Sequence, residues 1–268
     1  MVRVTTTNRR GALRAGAGLV TGGALATGCG FGPAAPPAAP VSASPSAVRG
    51  SGRPAATAQA APAARAYPGQ PVQITHGPRS RPQVALTFHG QGDPALAHSL
   101  LSEAEKQGAR LTVLAVGTWL DEHPDLARRI LDGGHDLGNH TQRHIGINTL
   151  AEADARREIT DCAERLKRLT GSIGTWFRPS RAPAASPLVA RLARTAGYPH
   201  VLSYDVDSLD YTAPGAAAVT RKILAEVRGG SVVSLHFGYA DTVAALPDVL
   251  TELGRRGLRA VTTTELLS

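Results

Sequence analysis

The chain has 268 residues and a formal net charge of +8, enough length for one sizeable domain and a tail. Nine of its 29 basic residues and none of its 21 acidic residues precede residue 83, leaving 20 basic against 21 acidic, a net −1, in the remainder. A near-neutral folded region offers no basic stripe to track phosphates, so nucleic acid is excluded as an expected partner.

The first 29 residues read as an export address. Arg9 and Arg10 form a twin arginine ahead of a weakly apolar stretch, residues 15–28, too short and glycine-rich to span a bilayer. The stretch ends Ala26-Thr27-Gly28-Cys29, which is lipobox-like and makes Cys29 the expected site of a membrane-anchoring lipid. Plain cleavage after residues 24–26 (Ala-Leu-Ala) is the alternative. Either ending places the protein outside the cytoplasm, at the outer face of the membrane, in the wall, or secreted. Residues 30–82 are rich in Pro, Ala and Ser without apolar periodicity and are expected to form a disordered tether.

From residue 83 onward, apolar runs alternate with amphipathic stretches. Strands are predicted at 84–88, 111–115, 136–138, 175–178, 201–204, 232–235 and 258–261. Helices are predicted at 94–107, 124–132, 152–169, 186–196, 216–228 and 244–255. The last Cys, Cys162, falls in a helix and is expected to be a small buried apolar residue. Strand–helix alternation of this kind implies an α/β fold with a parallel sheet, open or curled into a barrel. In both forms, active residues gather at the C-terminal ends of the strands.

Polar residues at those ends form a short set: His89 and Asp93, then Asn139, His140 and His144, then Arg178, Asp205, Asp207 and His236. His140 and His144 are four apart, the spacing of one face of a helical turn, and two imidazoles so placed can share a cation. A catalytic site needs a third protein ligand and an open position. The sequence offers no aromatic-rich sugar platform, and of its two Trp and five Tyr, Trp119 and Trp176 are the ones expected to matter.

In order and spacing, the segments "LTF", "GGHDLGNHTQRH", "WFRPS", "YDVDSLDY" and "VSLHFG" resemble the polysaccharide deacetylase family, or NodB-homology domain, over nearly all of 84–262. The resemblance implies a distorted, incomplete (β/α) barrel of about seven strands. It further implies removal of acetyl groups from N-acetylated or O-acetylated polysaccharide such as peptidoglycan or chitin-like oligomers. The cofactor it implies is a divalent metal ion, Zn²⁺ or alternatively Co²⁺ or another divalent ion. Carried over by motif, His140 and His144 bind the metal, Arg178 orients the catalytic base, and Asp207 holds His236, which protonates the leaving amine.

The family's first motif has two Asp residues where this chain has His89 and Gly90. Three readings follow. Asp93 reaches back through the Gly-Gln-Gly turn as the third metal ligand while His89 is the base. Alternatively, His89 is the third ligand, and Asp93 is the base or only the N-cap of the helix starting at Pro94. In the third, the site is degenerate and the protein is a wall-tethered module that binds glycan without hydrolysis. A metal amidohydrolase acting on a non-sugar amide is a further alternative.

Overall fold

The computed structural model describes residues 61–268. The export segment, Cys29 and the tether as far as residue 60 lie outside the described residues.

In chain order the elements are β1 (Gln73–Ile74), β2 (Gln83–Gly90), α1 (Pro94–Lys106), β3 (Thr112–Ala115), α2 (Gly117–Glu122), α3 (Asp125–Asp132), β4 (Asp136–Asn139), α4 (Glu152–Thr170), α5 (Pro187–Thr195), β5 (Val201–Leu202), β6 (Val206–Asp207), α6 (Ala216–Glu226), β7 (Val232–His236), α7 (Ala240–Arg255), β8 (Arg259–Ala260) and α8 (Thr263–Leu267). β2 is buried on both faces from Val84 to Phe88, as a near-continuous apolar run, broken here only by Thr87, should be in a covered parallel sheet. α4 buries Ala155, Ile159, Cys162 and Leu166 along one stripe, the 3.6-residue period of a helix lying on a sheet. Burial pushes the Cys162 thiol pKa up, so this residue is an inert part of the core.

The strands run β4-β3-β2-β7-β6, all in parallel, and β8 pairs with the start of β2. Phe177 bridges both Asn139 and Val201, which carries the wall on to β5, and β5 pairs in parallel with β1. His76 then bridges Ser231 at the foot of β7. The wall is the expected distorted, incomplete barrel, with helices outside and strand C-termini converging at one end.

Two expected elements change. Residues 175–178 contribute only the bridges of Phe177. Pro179, which has no N–H, follows directly, and the chain crosses so tightly that a Cβ on Gly138 would lie 2.5 Å from the Trp176 carbonyl oxygen. His140 and His144 are not on a helical turn either. Their segment is a loop in which Thr141 and His144 adopt left-handed backbone, φ 70° and 55°.

The larger correction concerns the tether. Its last part, residues 61–82, is an ordered strap. Tyr67 stacks on Trp176 with ring centroids 5.2 Å apart. The Tyr67 backbone N–H donates to His200 Nε2 at 2.9 Å, β1 pairs with β5, and Arg79 pairs with Asp205 at 2.8 Å. Asp205 also accepts from the Val232 backbone N–H at 2.8 Å, so its role is to pin the strap beneath β7. The strap closes the seam between β5 and β7, and burial of Tyr67 and Ile74 offsets the entropy of ordering it. Each fully buried side chain of this size contributes about 1.5–3 kcal/mol. A chain starting at residue 83 is therefore expected to be less stable than one starting at residue 61, read by urea denaturation. The loss should be less than the gross burial term of about 3–6 kcal/mol, because the entropy of ordering the strap is subtracted from it. Equal midpoints would show that the strap contributes nothing.

Candidate metal and acid–base site

β2, β3 and β7 set the site through their register. His89 pairs with His236 on one side and Leu114 on the other, and paired residues in a sheet present side chains to the same face. Residues two apart on a strand share a face, so Thr87 and Ser234 form the layer beneath. One ring nitrogen from each of His89, His140 and His144 lies within 4.8 Å of the others. The ring centroids are 4.4 Å apart for His89–His140 and 4.8 Å for His140–His144.

His140 is fully buried. Its Nδ1 faces the Arg178 carbonyl oxygen at 3.1 Å and its Nε2 has no hydrogen-bond partner among the described residues. A carbonyl can only accept, so Nδ1 carries the proton and Nε2 offers a bare lone pair. His144 is placed by its loop. Its backbone N–H donates to Thr141 Oγ1 at 3.2 Å, Thr141 Oγ1 donates to Ser180 Oγ at 3.1 Å, and Ser180 Oγ donates to the Ile145 carbonyl. The buried Glu158 carboxylate accepts from Arg143 N–H and Nε, at 2.8 and 2.6 Å, and ties the same loop to α4.

Burial lowers the pKa of all three imidazoles. For His89 it falls well below the usual histidine range, reinforced by His140 and His236; for His140 it also falls well below that range, reinforced by His144; for His144 it falls to about 4, helped by Arg181. Neutral imidazoles held together around one orphaned, buried lone pair suit a borderline divalent cation such as Zn²⁺. Ligands about 3.3 Å apart are usual around such an ion, so small ring rotations would draw the trio in.

Asp93 stands outside this group. Its Oδ1 accepts the Ala95 N–H at 2.8 Å and caps α1, and its side chain is exposed. The reading of Asp93 as third ligand and His89 as base is corrected: a helix start claims the carboxylate, and β2 delivers His89 to the other two His. Gly90 cannot supply a ligand in this backbone either, because a Cβ there would lie 2.9 Å from Val113 Cγ1 and 3.1 Å from Ala115 Cα. Gly92 has φ 108°, its Cβ would sit 2.5 Å from Gly238 Cα, and its carbonyl accepts from Trp119 Nε1 at 2.8 Å. The Gly-Gln-Gly turn is thus shaped to pack on the loop after β7.

Asp207 does not hold His236. Asp210 does, with Oδ1 2.7 Å from His236 Nδ1 and Oδ2 accepting from the His236 N–H at 2.8 Å and Thr242 Oγ1 at 2.7 Å. The left-handed Leu209, φ 55°, turns the chain so that Asp210 tucks fully buried beneath His236. In sequence Asp210 was visible only as one of three carboxylates within six residues, and nothing but the turn selects it. Asp207 Oδ1 accepts from the Leu209 N–H at 3.1 Å instead.

Arg178 is buried inside the barrel. Its Nε donates to the Leu202 carbonyl at 3.1 Å, and Nη2 donates to Thr87 Oγ1 at 2.7 Å and the Ser203 carbonyl at 3.0 Å, while Nη1 has no partner among the described residues. Burial lowers its pKa to about 10, and Tyr204 and Asp207 oppose that shift. A cleft of about 390 Å³ opens over these groups, lined by His89, His144, Tyr204, Asp207, Tyr211 and His236 among others. The aromatic expectation is corrected here. Trp119 and Trp176 are buried in the core, and the cleft takes Tyr204, Tyr211 and Tyr239.

An α/β barrel with a metal-competent histidine trio facing an Asp–His pair across one cleft defines a hydrolase class. Comparison with known proteins makes the class specific. Residues 76–201 match the family model for polysaccharide deacetylase. The chain is 30% identical over 194 residues to a peptidoglycan-N-acetylglucosamine deacetylase of Bacillus cereus, covering 71% of this chain and 90% of that protein. It is 29% identical over 191 residues to a chitooligosaccharide deacetylase of Sinorhizobium fredii, covering 66% and 87%. In fold it is similar to a carbohydrate esterase family 4 pseudoenzyme from Bacillus anthracis, with TM-score 0.70 at 23% identity over 74% of this chain and 70% of that one. The chain belongs to the polysaccharide deacetylase family, a family of hydrolases.

Proposed function

We propose that this protein is a metal-dependent deacetylase that hydrolyses the acetamido group of N-acetylated wall polysaccharide, exported and tethered through a lipid on Cys29. The observation that carries the activity is the bare, buried Nε2 of His140 grouped with His89 and His144 in the cleft that also holds the Asp210–His236 pair. The relatives named as deacetylases of peptidoglycan and chitooligosaccharide support the substrate class.

His89, His140 and His144 would hold the ion. The chemistry a divalent ion supplies at such a site is polarisation of the acetamide carbonyl and a lowered pKa for water. The remaining work falls to the chain. Asp210 binds His236 Nδ1 and so leaves Nε2 as the nitrogen free to face the cleft, where it can protonate the departing sugar amine. Tyr204, Tyr211 and Tyr239 offer faces on which a pyranose can pack.

Loss of both first-motif carboxylates from β2 favours a second reading, glycan binding without hydrolysis. Zinc-loaded protein is expected to release acetate from N-acetylglucosamine oligomers or peptidoglycan and to stop when treated with chelator. Protein that stays inert across divalent metals while still retaining wall glycan would establish the binding reading, and acetate released only from non-sugar amides would move the substrate class.

A further inference from the structure

The site as described has an acid but no base. His89, which stands where the family places its base, is drawn into the metal trio, and Asp93 is committed to capping α1. Asp210 is buried and already accepts three hydrogen bonds. Among the described residues lining the cleft, Asp207 is the one carboxylate.

We infer that Asp207 is the general base, moved from the end of β2 to the end of β6; this rests on the deacetylase reading above. The register supports it. Asp207 pairs with Ser234, Ser234 pairs with Thr87, and Ser234 Oγ lies 3.1 Å from His89 Nε2. Asp207 therefore points to the barrel face that carries the trio, one layer below His236. One carboxylate oxygen is used by the Leu209 N–H, and the other makes no hydrogen bond among the described residues. The buried Arg178 feels its charge, as does Tyr204, whose ring lies 5.4 Å from the guanidinium carbon. Among the described residues Arg178 forms no ion pair within 4.0 Å, and Asp207 is the carboxylate whose charge raises its pKa against burial.

The proton balance closes. Water attacks the acetamide carbon as one of its protons passes to Asp207, forming the new C–O bond. The C–N bond then breaks as His236 Nε2 gives its proton to the sugar nitrogen. The acetic acid formed returns its proton to His236, and the amine leaves with the proton held by Asp207.

Asp207→Asn tests this, because asparagine can still accept the Leu209 N–H and keep the turn but cannot act as base. With the full zinc-loaded chain, Asp207→Asn is expected to lower kcat for acetate release by about 100-fold or more, with bound zinc unchanged. Asp207→Ala should be similarly slow and should regain activity in added formate, a small carboxylate that can occupy the space. A wild-type-like rate for Asp207→Asn overturns the inference and leaves His236 as the only proton carrier. So does a slow Asp207→Ala that formate does not rescue, which marks a structural role. A wild-type chain that releases no acetate from any acetylated glycan overturns the deacetylase reading and the base with it.

Discussion

His89→Ala is expected to abolish stoichiometric zinc binding, while Asp93→Ala leaves it intact. Asp93 caps α1 through the Ala95 N–H, and its removal should cost about 1 kcal/mol of stability with no change in metal content. His89 presents a ring nitrogen within 4.8 Å of those of His140 and His144. Losing a partner that only orients a ligand typically costs 10–100-fold in metal affinity, so losing a direct ligand should cost more than about 100-fold. Dialysis against zinc followed by elemental analysis reads the first effect, and urea denaturation reads the second. Zinc retained by His89→Ala but lost by Asp93→Ala would reverse the assignment.

The second large effect is expected at Asp210. Asp210→Ala removes the acceptor for His236 Nδ1, the His236 N–H and Thr242 Oγ1 together. Two of these donors belong to the residue that must deliver a proton, so the imidazole loses both its tautomer and its orientation. Acetate release should fall by about 100-fold or more, and unpaired donors in a buried site should cost about 1–3 kcal/mol of stability. The proton on His236 Nδ1, followed by NMR, should lose its hydrogen-bonded signature in Asp210→Ala and keep it in Asp207→Asn. The opposite pattern would restore Asp207 as the partner of His236. The comparison also separates the two carboxylates of one loop, one acting through His236 and one acting on water.

Much of the architecture was readable in the chain itself. β2 and β7 carry apolar runs broken only by Thr87 and Ser234, and α4 has a strong one-sided stripe ending at the left-handed Gly171, φ 80°. These are signals of local period and local φ, so sequence states them directly. β1 and β6 carry no such signal. Each is two residues long, and each is a strand only because a neighbour's backbone lies alongside. The strap, set in proline-rich sequence, is ordered for the same reason: Tyr67 needs Trp176, a residue more than a hundred positions away, to stack upon.

The site divides in the same way. Sequence by itself determined the parallel α/β class and the gathering of His89, His140, His144, Arg178 and His236 at strand ends, because strand polarity and residue chemistry are local properties. The barrel rather than an open sheet was implied only by the family resemblance. Only the tertiary structure decided the partnerships. Asp93 and His89 are four residues apart, yet one faces a helix N-terminus and the other the barrel interior. Asp207 and Asp210 are three apart, yet the turn at Leu209 sends one toward the cleft and buries the other under His236. Which carboxylate or imidazole meets which depends on register between β2 and β7 and on single left-handed residues. Those are set by packing between distant segments, where the free energy of a contact is shared by residues far apart in the chain.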